Sequence, residues 1–167
     1  MRSFVRAVDR LNEWAGKLAA ILLVPLTLIT AYEVFMRYVM EKPTIWSWDL
    51  NIQIFAGIVM LGGGDTLRRK GHVAMDVVVQ KLPPAKRAVL DLLTSLILFF
   101  GLIVLFYGGW DQAWSSIKVM ERMPTVWAPP YYTMKALIPI GAALILLQGM
   151  AEFCRNLMIV QGSKKGA

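Results

Sequence analysis

The chain of 167 residues is 57% hydrophobic and only 17% charged, with a formal net charge of +7 and a mean hydropathy of +0.54. A soluble domain of this size has too little interior to hide that much apolar surface, which leaves a small polytopic membrane protein. The basic excess speaks for membrane topology and against nucleic acid as a partner, because the cations flank hydrophobic runs.

Residues 1–13, MRSFVRAVDRLNE, place Phe4, Val8 and Leu11 on one helical face and Arg6, Asp9, Arg10 and Glu13 around the other. That pattern predicts an N-terminal interfacial helix leading into a span. A secretory signal is the competing reading, but Asp9 and Glu13 interrupt its basic segment and no small-x-small cleavage site follows.

The first span is expected over about 14–39, with Pro25 inside it. Glu33 falls sixteen residues, about 24 Å of helix, beyond Lys17, near the far edge of a ~30 Å hydrocarbon core. Arg37 follows one turn later with the acid on its N-terminal side, the favoured order for an ion pair along a helix. Two accounts stand side by side: Arg37 snorkels to the headgroups with Glu33 as its neighbour, or the pair faces a protein partner at membrane depth.

Glu41 to Trp48 reads as a short outer connection broken by Pro43, with Trp46 and Trp48 at the interface. The second span, about 48–67, carries Asp49, Asn51 and Gln53 at its outer end and Gly57, Gly62, Gly63 and Gly64 deeper in. Small residues let helices approach closely and amides bond across them, so one side of this span is expected against protein.

The stretch from Leu67 to Arg87 holds six cations and the only histidine, His72. Within it Met75, Val78, Val79 and Leu82 share one face, opposite His72, Asp76 and Gln80, which predicts a cytoplasmic amphipathic helix over 72–82 ended by Pro83 and Pro84. A third span is expected over about 86–108 and a fourth over 131–153. Between them Trp114, Trp127 and three prolines mark an outer segment, where the tryptophans serve either the aromatic belt or a docking partner.

Of the eighteen Lys and Arg residues, thirteen lie in the first, third and fifth polar regions. That asymmetry places both termini in the cytoplasm. The fold class expected is thus an all-α membrane protein, one four-span domain over 1–167 with an interfacial N-terminal helix and a cytoplasmic amphipathic helix.

The residues that membrane chemistry requires are missing. One histidine outside the spans cannot supply paired haem ligands. Cys154 is the only cysteine, no HExxH or GxSxG occurs, and the Gly62–Gly64 run lacks a P-loop lysine. No enzyme, metal or cofactor is therefore expected. A secondary transporter acting alone should show broken helices and midplane ion ligands, which are not evident.

Four stretches, in this order, resemble a known family: YEVFMRYV at 32–39, PTIWSWDLN at 43–51, GHVAMDVV at 71–78 with PPAKR after it, and PPYYTMKALIPIGAALILLQG at 129–149. The chain resembles the small, DctQ-type membrane subunit of tripartite ATP-independent periplasmic (TRAP) transporters. One departure is Asp49-Leu50, where members often carry two acidic residues after the tryptophan. The resemblance implies a bacterial inner-membrane scaffold beside a large multi-span elevator subunit, working with a periplasmic substrate-binding protein to take up organic acids on a sodium gradient. On this reading Glu33, Arg37, Asp49, Asn51 and Gln53 form the subunit interface, and Trp114 and Trp127 the periplasmic docking side. The alternative is a self-sufficient small transporter working as a homo-oligomer.

Overall fold

The computed structural model describes residues 2–69 and 84–165. Among them the chain is helical, with four long elements: α1 (Arg2–Tyr38), α2 (Ser47–Arg68), α3 (Pro84–Lys118) and α4 (Tyr132–Lys165). Each contains a stretch long and apolar enough to cross a membrane. The cytoplasmic amphipathic helix expected over 72–82, with His72, Asp76 and Gln80, lies outside the described residues.

The N-terminal amphipathic segment is not a separate helix. It forms the first turns of α1, which runs unbroken for 37 residues, about 55 Å at 1.5 Å per residue. Pro25 interrupts one backbone bond without ending the helix. Past it the hydroxyls of Thr27 and Thr30 donate to the carbonyls of Leu23 and Leu26 at 2.8 and 2.7 Å, which gives each hydroxyl a partner within its own helix.

The face of α1 that packs against protein differs from the apolar stripe expected to lie against the membrane, and the two share only Val8. Val5, Val8 and Asn12 are buried, whereas Phe4 and Leu11 are 41% and 48% exposed. Lipid is as apolar as a leucine side chain, so large aliphatic groups gain nothing by turning toward protein. Small and hydrogen-bonding side chains do gain, and they occupy the contacts.

The helices assemble in the lateral order α1, α2, α4, α3, with α3 packed on α4 and on little else, and the start of α1 also touching α4. Glycines set the close approaches. A Cβ on Gly141 of α4 would stand 2.9 Å from the backbone oxygen of Met60 in α2. A Cβ on Gly109 of α3 would stand 2.7 Å from Ile138 and 3.3 Å from Pro139 in α4. Most of the large apolar side chains stay on the outside; only 6% of the most apolar window of α1 is buried, against 39% for α4. α4 is thus the central post of the assembly.

The helix α3 continues past 108 to Lys118. The following segment closes on itself: the amide of Met123 donates to Pro129 O at 2.9 Å and that of Tyr131 to Glu121 O at 2.8 Å. An outer loop with fixed shape therefore caps the end of the assembly away from the termini.

Candidate subunit-contact site

The sequence pairs Glu33 with Arg37, and α1 does bring them together. Arg37 Nη2 lies 2.5 Å and Nε 3.0 Å from Glu33 Oε1. The second carboxylate oxygen is held from the α1–α2 connection, by the amide of Thr44 at 3.1 Å and by the Thr44 hydroxyl. Thr44 Oγ1 also lies 2.8 Å from Ser47 Oγ. Glu33 thereby ties the end of its own helix to the start of α2, a role that no helical spacing reveals. Tyr32 stacks on Trp46 with ring centroids 6.1 Å apart and holds the same turn.

Arg37 and Glu33 line an open groove of about 630 Å³ between α1 and α2, together with Thr30, Asn51, Trp48 and Phe55. Asn51 Nδ2 donates to Thr30 Oγ1 at 3.1 Å. Its Oδ1 is buried and accepts nothing among the described residues. In a low-dielectric setting an unmet buried acceptor is costly, and the groove adds to it a half-exposed guanidinium on its wall.

Asp49 and Gln53 do not join that groove. Asp49 is 1% exposed and accepts a 2.5 Å bond from the Thr125 hydroxyl, which in turn accepts from the Ala128 amide at 3.2 Å. Gln53 Oε1 is 3.4 Å from Thr133 Oγ1 and its Nε2 is 3.9 Å from Met123 Sδ. Both side chains are engaged within the chain, pinning the outer loop to α2. The polar residues of α2 thus divide between two sides of one helix, because Asn51 sits about 200° around from both Asp49 and Gln53 at ~100° per residue.

The two tryptophans are also apart in setting. Trp114 is on α3, half exposed, with Lys118 Nζ 5.5 Å from its ring centroid. Trp127 is on the outer loop and 42% exposed.

Sequence reasoning missed a second polar centre at the termini end. Asn12 Nδ2 donates to Gln148 Oε1 at 2.9 Å, Gln148 Nε2 donates to Asp9 Oδ1 at 3.0 Å, and Arg155 Nη2 meets both oxygens of Asp9 at 2.7 and 2.6 Å. Asn12 and Gln148 are fully buried. Beside them Asp65 of α2 is clamped by Arg68 and Arg69 at 2.8 and 2.7 Å. Glu152 pairs with Arg155. The only sequence signal was a polar residue at helical spacing beyond Val5 and Val8. Among the described residues no cluster of three or more His, Cys, Asp or Glu could hold a metal ion.

Residues 26–158 match the family model described as tripartite ATP-independent periplasmic transporters, DctQ component. The chain belongs to the DctQ family. Among its relatives, the C4-dicarboxylate TRAP transporter small permease protein DctQ of Vibrio cholerae serotype O1 is 27% identical over 141 residues, a match that covers 72% of this chain and 61% of the relative. The sialic acid TRAP transporter permease protein SiaT of Haemophilus influenzae is 25% identical over 147 residues, covering 86% of this chain and 22% of the relative. This chain therefore spans three-fifths of one relative and about a fifth of the other. As a DctQ-type TRAP subunit it is a multi-pass membrane protein; Glu33, Arg37 and Asn51 lie within the matched residues, as do Gln148 and Arg155, whereas Asp9 and Asn12 precede them.

Proposed function

We propose that this DctQ-type chain is the small scaffold subunit of a sodium-coupled TRAP transporter of the bacterial inner membrane. It anchors a large elevator-type subunit that takes up organic acids delivered by a periplasmic binding protein. The observation that carries the proposal is the open α1–α2 groove lined by Glu33, Arg37 and Asn51, where the Arg37 guanidinium stays half exposed beside its Glu33 partner. A helix of the large subunit bringing a hydrogen-bond acceptor meets that guanidinium. The match to one fifth of a much longer permease protein supports a unit that works beside further membrane subunits.

Asp49 and Gln53 serve the interface indirectly, by fixing the outer loop against α2. With both termini cytoplasmic, as the positive-inside bias favours, that loop and Trp127 face the periplasm, where the binding protein docks. The chain acts without a cofactor and catalyses no reaction.

The deciding experiment is co-purification. Arg37→Ala and Asn51→Leu each reduce recovery of the large subunit while the small chain inserts normally. Unchanged recovery and unchanged uptake in both variants would remove the groove from the interface. Reconstitution of this chain alone with a sodium gradient tests the self-sufficient transporter: uptake by the isolated chain would overturn the scaffold reading.

A further inference from the structure

We propose that the apolar groove between α3 and α4 holds one acyl chain of a phospholipid whose phosphate pairs with Lys118. The groove, about 390 Å³, lies on the edge of the assembly opposite the Glu33–Arg37 groove. Phe106, Trp110, Ala113, Trp114 and Ile117 of α3 form one wall, and α4 contributes the other from Ala136 to Ala143. Its lining residues are all apolar.

The shape selects the occupant. From Phe106 to Ile117 is eleven residues, about 16 Å along the helix axis. That equals the depth of one leaflet, half of a ~30 Å hydrocarbon core. The floor is formed by Ala113, Ala136 and Ala143, whose short side chains leave the space that a slender alkyl chain fills.

Charge marks the end at which the headgroup sits. Lys118 is the last residue of α3, one residue beyond the groove wall, on the side away from the chain termini. Its ammonium stands over the Trp114 ring, 5.5 Å from the centroid, and no carboxylate pairs with it among the described residues. Of the other cations toward this end, Lys135 is paired with Glu121 at 2.6 Å, Arg37 with Glu33, and Arg122 Nη1 lies 3.4 Å from the Ala128 carbonyl. A lysine held by an aromatic ring at headgroup level, above an apolar slot one leaflet deep, is complementary to a lipid phosphate and its chain. The inference rests on α3 and α4 crossing a membrane and not on any choice of protein partner.

Native mass spectrometry of the assembly purified from membranes, with the small chain released in the gas phase and titrated with phosphatidylglycerol or with dioleoylglycerol, tests it. The unaltered chain retains one phosphatidylglycerol. Ala143→Phe, which fills the slot, removes retention of both lipids. Lys118→Glu, on an exposed surface where folding is not at issue, lowers retention of phosphatidylglycerol at least tenfold and leaves dioleoylglycerol unchanged, and Lys118→Arg restores it. Equal retention in the unaltered chain and in both variants, or none in any of them, overturns the site. So does loss of a co-eluting protein subunit in Ala143→Phe with no lipid bound to the unaltered chain, since a protein then occupies the groove.

Discussion

The two ends of this molecule treat their polar side chains in opposite ways. At the termini end Asp9, Asn12, Gln148 and Arg155 tie the first helix to the last, with the two amides fully buried. At the outer end Glu33, Arg37 and Asn51 bond within α1 and across to the start of α2 and line an open groove, with the Arg37 guanidinium half exposed. Hydrophobic packing offers little between helices in lipid, so polar contacts carry the association. The inner set serves the fold of the chain itself, and the outer set keeps a charged group on an open surface.

The sharpest way to break that contrast is Gln148→Leu. It removes the bond that Asn12 Nδ2 makes to α4, leaving that amide the Val8 carbonyl at 3.2 Å alone, and takes one donor from Asp9, which keeps Arg155; an unmet buried N–H costs about 1–3 kcal/mol. With two groups affected, thermal unfolding in detergent should show a larger loss for this variant than for Gly64→Ala, Arg37→Ala or Glu121→Gln. Gly64→Ala comes next. Its Cβ would overlap Asn12 Oδ1, and overpacking of this kind costs about 1–3 kcal/mol. Asn12→Ala in the same chain removes the clashing atom, so the double variant should be more stable than the sum of the two single losses; strict additivity would mean that α1 shifts as a whole to relieve the contact.

Arg37→Ala should behave differently. The guanidinium is half exposed and its pair is within one helix, so the isolated chain loses little stability. The same substitution should nevertheless lower recovery of the large subunit more than Gln148→Leu does at a temperature where both chains stay folded. A larger stability loss for Arg37→Ala than for Gln148→Leu would erase the distinction between an inward-bonding and an outward-facing end.

The contrast also marks what was legible in the sequence. Four apolar helices, the Glu33–Arg37 spacing and the glycine-rich inner half of α2 follow from periodicity and composition, which act over a few residues. Contacts between distant positions do not. Asn12 and Gln148 are 136 residues apart, and nothing in either segment names the other. The inward face of α1 departs from its periodicity for a related reason: in water Phe4, Val8 and Leu11 would form the buried stripe, whereas next to lipid Val5, Val8 and Asn12 do. Asp49 and Gln53 read as part of one subunit interface with Asn51, because the loop that covers them, with Thr125 and Met123, is shaped by backbone bonds invisible to pattern. The Asp9–Arg155 pair likewise hides among charges that topology alone would account for.

The smallest expected effect lies in the outer loop, where Lys135 Nζ meets Glu121 Oε2 at 2.6 Å and sits 4.7 Å from the Tyr131 ring centroid. The hydrogen bond from the Lys135 ammonium holds the Glu121 carboxyl below its usual value near 4.5. A carboxyl whose folded value is depressed binds fewer protons in the folded state than in the unfolded one, so its contribution to stability is complete above about pH 4.5 and fades as pH falls through the folded value. Glu121→Gln should therefore be slightly less stable than the unaltered chain at neutral pH, and the two thermal-unfolding curves should converge as pH falls through the depressed folded value. The pair is solvent-facing, which keeps the difference small. Because the loop it fastens also covers Asp49 through Thr125, protease cleavage within residues 119–131 should rise in the variant at neutral pH and match the unaltered chain at low pH. A constant gap across the whole pH range would locate the effect of the substitution in packing and not in the charge pair.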